Sequence, residues 1–138
     1  MRYEMLDKKH VISKDKKMHN LYDLKIWNKA IDLSVAVYEA TACFPTDERF
    51  GLISQSRRAA VSIPSNIAEG AGRNSKKEFC NFLGIANGSS YELQTQLILS
   101  NKLGLLNNDL LNGLLKQVEE LQKMNYSFQQ TLNKPSQI

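Results

Sequence analysis

Arg57-Arg58-Ala59-Ala60-Val61-Ser62-Ile63-Pro64-Ser65-Asn66-Ile67-Ala68-Glu69-Gly70-Ala71-Gly72-Arg73-Asn74-Ser75-Lys76-Lys77-Glu78 interleaves apolar, conformationally special and basic residues, and its division sets the fold. It reads as the end of one helix, a glycine break and the start of the next. Leu52, Ser56, Ala59, Ile63 and Ile67 keep an apolar stripe at helical spacing, while Ser54, Arg58, Ser62, Ser65 and Glu69 line a polar one. Pro64 lacks an N–H and clashes with the carbonyl of Ala60, at a cost of about 3 kcal/mol. Because Ile67 continues the stripe beyond it, the spacing predicts a kink rather than a break. Gly70-Ala71-Gly72 closes the helix as a glycine C-cap. Ser75 and Glu78 then form a capping box for the next helix.

Working outward, the third helix carries Phe79, Leu83, Ala86, Ser90, Leu93 and Leu97 at alternating spacings of four and three, a bundle seam. Its small residues Gly84, Ala86, Gly88, Ser89 and Ser90 predict a close helix approach. Lys102-Leu103-Gly104 ends it. Asn107 or Asn108 caps a fourth helix with Leu111, Leu114, Val118, Leu121, Phe128 and Leu132 as its seam, stopped by Lys134-Pro135.

Upstream, the second helix starts near Asp47 and Glu48, after Phe44-Pro45-Thr46 has ended the first. The first helix runs from Asp23, its expected N-cap, to Cys43. It carries two apolar seams. One is Leu24, Trp27, Ile31, Ser34, Tyr38 and Thr41; the other is Ile26, Ala30, Leu33, Val37 and Phe44. One broad apolar face suffices for a helix in a monomeric bundle. The second seam, with Ile26, Ala30, Leu33 and Val37, is therefore expected to be an oligomer interface, the alternative being a central helix buried within one chain. Four helices joined by short connections predict an all-α, antiparallel up-down-up-down four-helix bundle over residues 21–134. Residues 1–20 are expected to be a flexible, disordered or extended basic arm.

The chain of 138 residues suits one core, and its pI is near 9.1. Of the net charge of +4, residues 1–20 hold +3. A nucleic-acid reading therefore needs a local patch rather than global charge. No apolar run approaches the roughly 18 residues that span a bilayer, so a cytoplasmic protein without membrane contact is expected. Cys43 and Cys80 are far apart, with no spacing suited to a zinc site, and are expected to be buried packing residues with no metal or cofactor. His10 and His19 lie in the arm, so Ser54, Ser56, Ser62 and Ser65 have no candidate base and no catalytic residue is expected.

The candidate site is the basic cluster. Arg73, Lys76 and Lys77 surround the N-terminus of the third helix, where free N–H groups favour an anion. Arg57 and Arg58 point about 100° apart. These five are the expected phosphate contacts. Glu69 and Glu92 are expected in structural ion pairs with Arg57 or Arg58.

The blocks Asp23-Leu24-Lys25-Ile26-Trp27-Asn28-Lys29-Ala30, Phe44-Pro45, Glu48-Arg49-Phe50-Gly51-Leu52, Arg57 to Gly70 and Ser75-Lys76-Lys77-Glu78-Phe79 resemble the bacterial four-helix-bundle family encoded in 23S rRNA intervening sequences. The resemblance covers residues 21–132. It implies an all-helical protomer, a ring-like pentamer, and relatedness to the accessory proteins of diversity-generating retroelements, which bind nucleic acid and a reverse transcriptase. The resulting expectation is a non-enzymatic, homo-oligomeric RNA- or DNA-binding protein. The alternative is an oligomeric scaffold that presents a surface to another protein, with the basic residues serving subunit pairing.

Overall fold

The computed structural model describes residues 20–135. Readings made on residues 1–19, including both histidines, lie outside the described residues. Four helices follow in order: α1 (Lys25–Thr41), α2 (Ser54–Ala71), α3 (Lys76–Lys102) and α4 (Asn108–Leu132). Packing runs from α1 to α2, α2 to α3, α3 to α4 and α4 back to α1. This closes the expected antiparallel up-down-up-down bundle, with no strand among the described residues.

The ends of the first two helices differ from the sequence reading. Asp23 does not cap α1, because it lies in a short 3-10 turn, Leu21–Asp23, that Asn20 caps by accepting from the Tyr22 N–H. Leu24 takes the N-cap position without a side-chain bond. The second helix begins at Ser54 rather than near Asp47. A 3-10 turn, Thr46–Glu48, and a wide turn, Arg49–Ile53, precede it, and Gly51 within the latter has non-helical dihedrals. The Glu48 carboxylate accepts from the Leu52 N–H and holds this turn.

Ile26, Ala30, Leu33 and Val37 are 0–3% exposed, packed into the centre of the protomer. They are not a subunit interface. The physical reason is that the helices of one chain already cover this seam, packing it with Ile63, Ile67, Leu93, Val118 and Leu121 in a single core. Pro64 has no N–H to offer the Ala60 carbonyl, and Ser34 Oγ of α1 lies 2.9 Å from that carbonyl and 2.9 Å from its own-helix Ala30 carbonyl, sharing its one hydrogen between them. The helix runs through Pro64 to Ala71. Ser34 faces α2 between the buried seam of Ile26, Ala30, Leu33 and Val37 and the exposed Ile31 and Val35.

The close approach of α2 and α3 occurs at Gly70. A Cβ there would stand 2.8 Å from Phe82 Cβ and 3.2 Å from the Phe79 carbonyl oxygen. The small cluster in α3 was expected to mark this approach, but Gly84 and Gly88 face open space, while Ala86 and Ser90 are buried. Ser75 caps α3 as expected, accepting from the Glu78 N–H. Gly104 ends α3 at φ +81, in the left-handed region that favours glycine. Asn107 caps α4 by accepting from the Leu110 N–H. Buried Asn125 of α4 donates to the Leu83 carbonyl, a bond that the apolar seam gave no sign of. Lys29 of α1 ties to Glu120 of α4 at 2.7 Å and holds that carboxyl below its ordinary pKa.

Candidate functional site

The five basic residues do not form one patch. Arg57 is turned into the α1–α2 seam. Its Nε donates to Thr41 Oγ1 at 2.9 Å, its Nη2 donates to the Tyr38 carbonyl at 3.2 Å, and its guanidinium lies 4.4 Å from the Tyr38 ring centroid. Tyr38 is in the last turn of α1, where a cation is favourable; its carbonyl already accepts from the Ala42 N–H, and Arg57 adds a further donor to it.

Arg73 is engaged as well. Its Nη2 pairs with Glu69 Oε2 at 2.9 Å, its Nη1 lies 4.0 Å from Glu78, and its guanidinium covers the Phe82 ring at 4.8 Å. Glu69 is thus in an ion pair, but with Arg73 rather than with Arg57 or Arg58. Lys76 and Lys77 are exposed in the first turn of α3, with no ion pair among the described residues. Arg58 is exposed too, but about 20 Å of α2 separates it from the Gly72 break. The arrangement gives two separate basic spots, Lys76 with Lys77 at one end of the bundle and Arg58 towards the other.

Glu92 forms no ion pair among the described residues, which corrects the expected structural pair. It shares a cleft between α2 and α3 with Gln55, Arg58, Ala59, Ser62 and Gln96. Beside Glu92, the Ser62 and Ser89 hydroxyls are bonded at 2.8 Å, and Asn66 Nδ2 donates to Ser62 Oγ and to the Ser62 carbonyl. Polar α2–α3 packing of this kind was missed by a reading that followed apolar seams. The serines on the polar stripe of α2 were the available signal.

A second surface was also misassigned. Ile31, Val35 and Tyr38 repeat at four and three on the outside of α1, 36%, 53% and 44% exposed, and Val61 of α2 is 42% exposed. Tyr38 and Val61 line one groove of about 520 Å³ with Ile53, Arg57 and Arg58. Ile31 and Tyr38 had been placed in the seam facing the bundle, and Val35 in neither.

Among the described residues, no group of three or more His, Cys, Asp or Glu is placed to hold a metal ion, and no helix is long and apolar enough to cross a membrane. Cys43 is exposed rather than buried, and Cys80 is half-buried with its thiol near Asn133 Oδ1 at 3.4 Å.

The fold is similar to the crystal structure of a protein of unknown function from the S23 ribosomal protein family of Bacteroides thetaiotaomicron. The TM-score is 0.68 at 21% identity, covering 75% of this chain and 97% of the other. No curated protein matches the chain. A family model described as 23S rRNA-intervening sequence protein matches residues 22–127, which take in all of α1, α2 and α3 and most of α4. With the bundle, its capping residues and this match together, the chain belongs to the 23S rRNA-intervening sequence protein family.

Proposed function

We propose that the protein is a non-enzymatic, self-associating helical scaffold whose copies meet through the outer face of α1 and α2. The observation that carries this reading is the stripe of Ile31, Val35 and Tyr38 beside Val61, four apolar side chains left 36–53% exposed on adjoining helices. Scattered exposed apolar residues are ordinary, but a contiguous set at helical spacing marks an interaction surface. A second copy is the occupant favoured by the resemblance, which implies a ring-like pentamer. Association by this face also replaces the interface first expected at Ile26, Ala30, Leu33 and Val37. Val35→Lys with Val61→Lys places charge on the face without touching the core. The paired variant is expected to remain folded by circular dichroism and to sediment as a smaller species than the parent. Unchanged sedimentation overturns the assignment of this face.

A second reading, nucleic-acid binding, is favoured by Lys76 and Lys77. Both are exposed at the N-terminus of α3, with no ion pair among the described residues, and backbone N–H groups there attract phosphate. Repetition of this spot around an assembly multiplies weak contacts with a polyanion. Arg57 and Arg73 are left out of this reading, because the fold engages both. Electrophoretic titration of structured RNA, duplex DNA and single strands at two salt concentrations tests it. Lys76→Ala with Lys77→Ala is expected to weaken binding and flatten its salt dependence, and equal binding by parent and variant removes the reading.

A further inference from the structure

Phe50 is 87% exposed, the most open large apolar side chain among the described residues. The wide turn before α2 holds it in that position. Glu48 accepts from the Leu52 N–H, Leu52 is anchored in the core, and the Arg49 guanidinium lies 5.5 Å from the Phe50 ring centroid. An apolar ring presented to water on a braced turn is a natural anchor for an interface. At the opposite end of the bundle, a groove of about 440 Å³ opens between the start of α1 and the end of α4. Leu24, Ile26, Met124 and Phe128 give it apolar walls. The 17 residues of α1, about 25 Å of helix, lie between groove and ring, so Phe50 cannot enter the groove of its own chain.

We propose that Phe50 of one copy seats in this groove of the next, a head-to-tail contact separate from the outer face of α1 and α2. Shape and polarity suit the pair, because a thioether such as Met124 adapts to an aromatic ring and Phe128 offers it a ring edge or face. Charge selects a second copy as the occupant. Asp23, Lys25 and Lys123 stand at the groove, exposed Asp47 and Arg49 flank the ring, and none of the five forms an ion pair among the described residues. Docking offers Asp23 to Arg49 and a lysine to Asp47, so both signs meet their opposites. Because ring and groove are unlike surfaces of one chain, the contact is heterologous.

The test uses sedimentation of the full chain carrying Val35→Lys and Val61→Lys, so that the result does not depend on the α1–α2 face. This background chain is expected to retain concentration-dependent association. Phe50→Ser removes the ring and Ser127→Trp fills the groove. Both replace exposed side chains, so both variants should fold, and each should weaken association at least about tenfold. Mixing the two is the sharper arm. One keeps an intact groove and the other an intact ring, so together they should form pairs that neither forms alone. The Met124 methyl resonance should move with concentration in the background chain and stay fixed in Phe50→Ser. The proposal is overturned if the background chain is monomeric at every concentration, if either variant associates as tightly as the background, or if the mixture forms no pairs. A Met124 resonance insensitive to concentration assigns the groove to an occupant within the same molecule and equally overturns it.

Discussion

The two sides of α2 carry adjacent arginines with opposite fates. On the side facing α1, Arg57 reaches Thr41 and the Tyr38 carbonyl and covers the Tyr38 ring, and Ser34 serves the carbonyl that Pro64 leaves free. On the side facing α3, Arg58 and Glu92 are exposed along a cleft that Gln96 also lines, and neither forms an ion pair among the described residues. Polar groups that close on one another hold the fold together. Polar groups left open are the ones available to a ligand or another subunit. A single residue step, about 100° around the helix, separates the two regimes, so local composition says little about which arginine serves which purpose.

This contrast can be broken by substitution. The largest effect is expected at Leu33→Ala, in the core that α1 supplies, with a loss of about 2–5 kcal/mol in denaturant unfolding; a loss below that range would return this face of α1 to a subunit interface. Ser34→Ala leaves the Ala60 carbonyl buried without a donor and should lose about 1–3 kcal/mol by the same measurement. Arg57→Ala removes two hydrogen bonds and a ring contact and should lose about 1–2 kcal/mol. Arg58→Ala, one residue on, should stay within about 0.5 kcal/mol of the parent, and equal losses at Arg57 and Arg58 would erase the distinction. The smallest effect belongs to Lys29 and Glu120, exposed side chains on α1 and α4. Lys29 depresses the Glu120 pKa, so this pair contributes above the unfolded-state pKa of the carboxyl and the contribution is lost as pH falls through the folded one. Lys29→Met should slightly flatten the acid limb of thermal stability against pH.

Much of the bundle was legible in the sequence because its signals are local. Ser75 and Asn107 announce helix starts by side-chain chemistry, and Phe79, Leu83, Ala86, Ser90, Leu93 and Leu97 announce a face by spacing. The rotation of α1 was not legible. Both seams satisfy the helical period, and the choice between them rests on packing against residues far away in sequence, Ile63, Ile67, Leu93, Val118 and Leu121. The site fared worse for the same reason. Arg57, Arg58, Arg73, Lys76 and Lys77 cluster in sequence, but helix length separates Arg58 from the lysines, and Glu69, Tyr38 and Thr41 occupy two of the arginines. Glycine was ambiguous as well. Gly70 marks the tight helix approach and Gly84 and Gly88 do not, a difference set by what faces each position across the bundle.

The most direct test of the account is sedimentation equilibrium of the unmodified chain over a wide concentration range. Self-association through Ile31, Val35, Tyr38 and Val61 predicts a mass that is a multiple of the 15.7 kDa protomer. A single species at the protomer mass, persisting at high concentration, would contradict it.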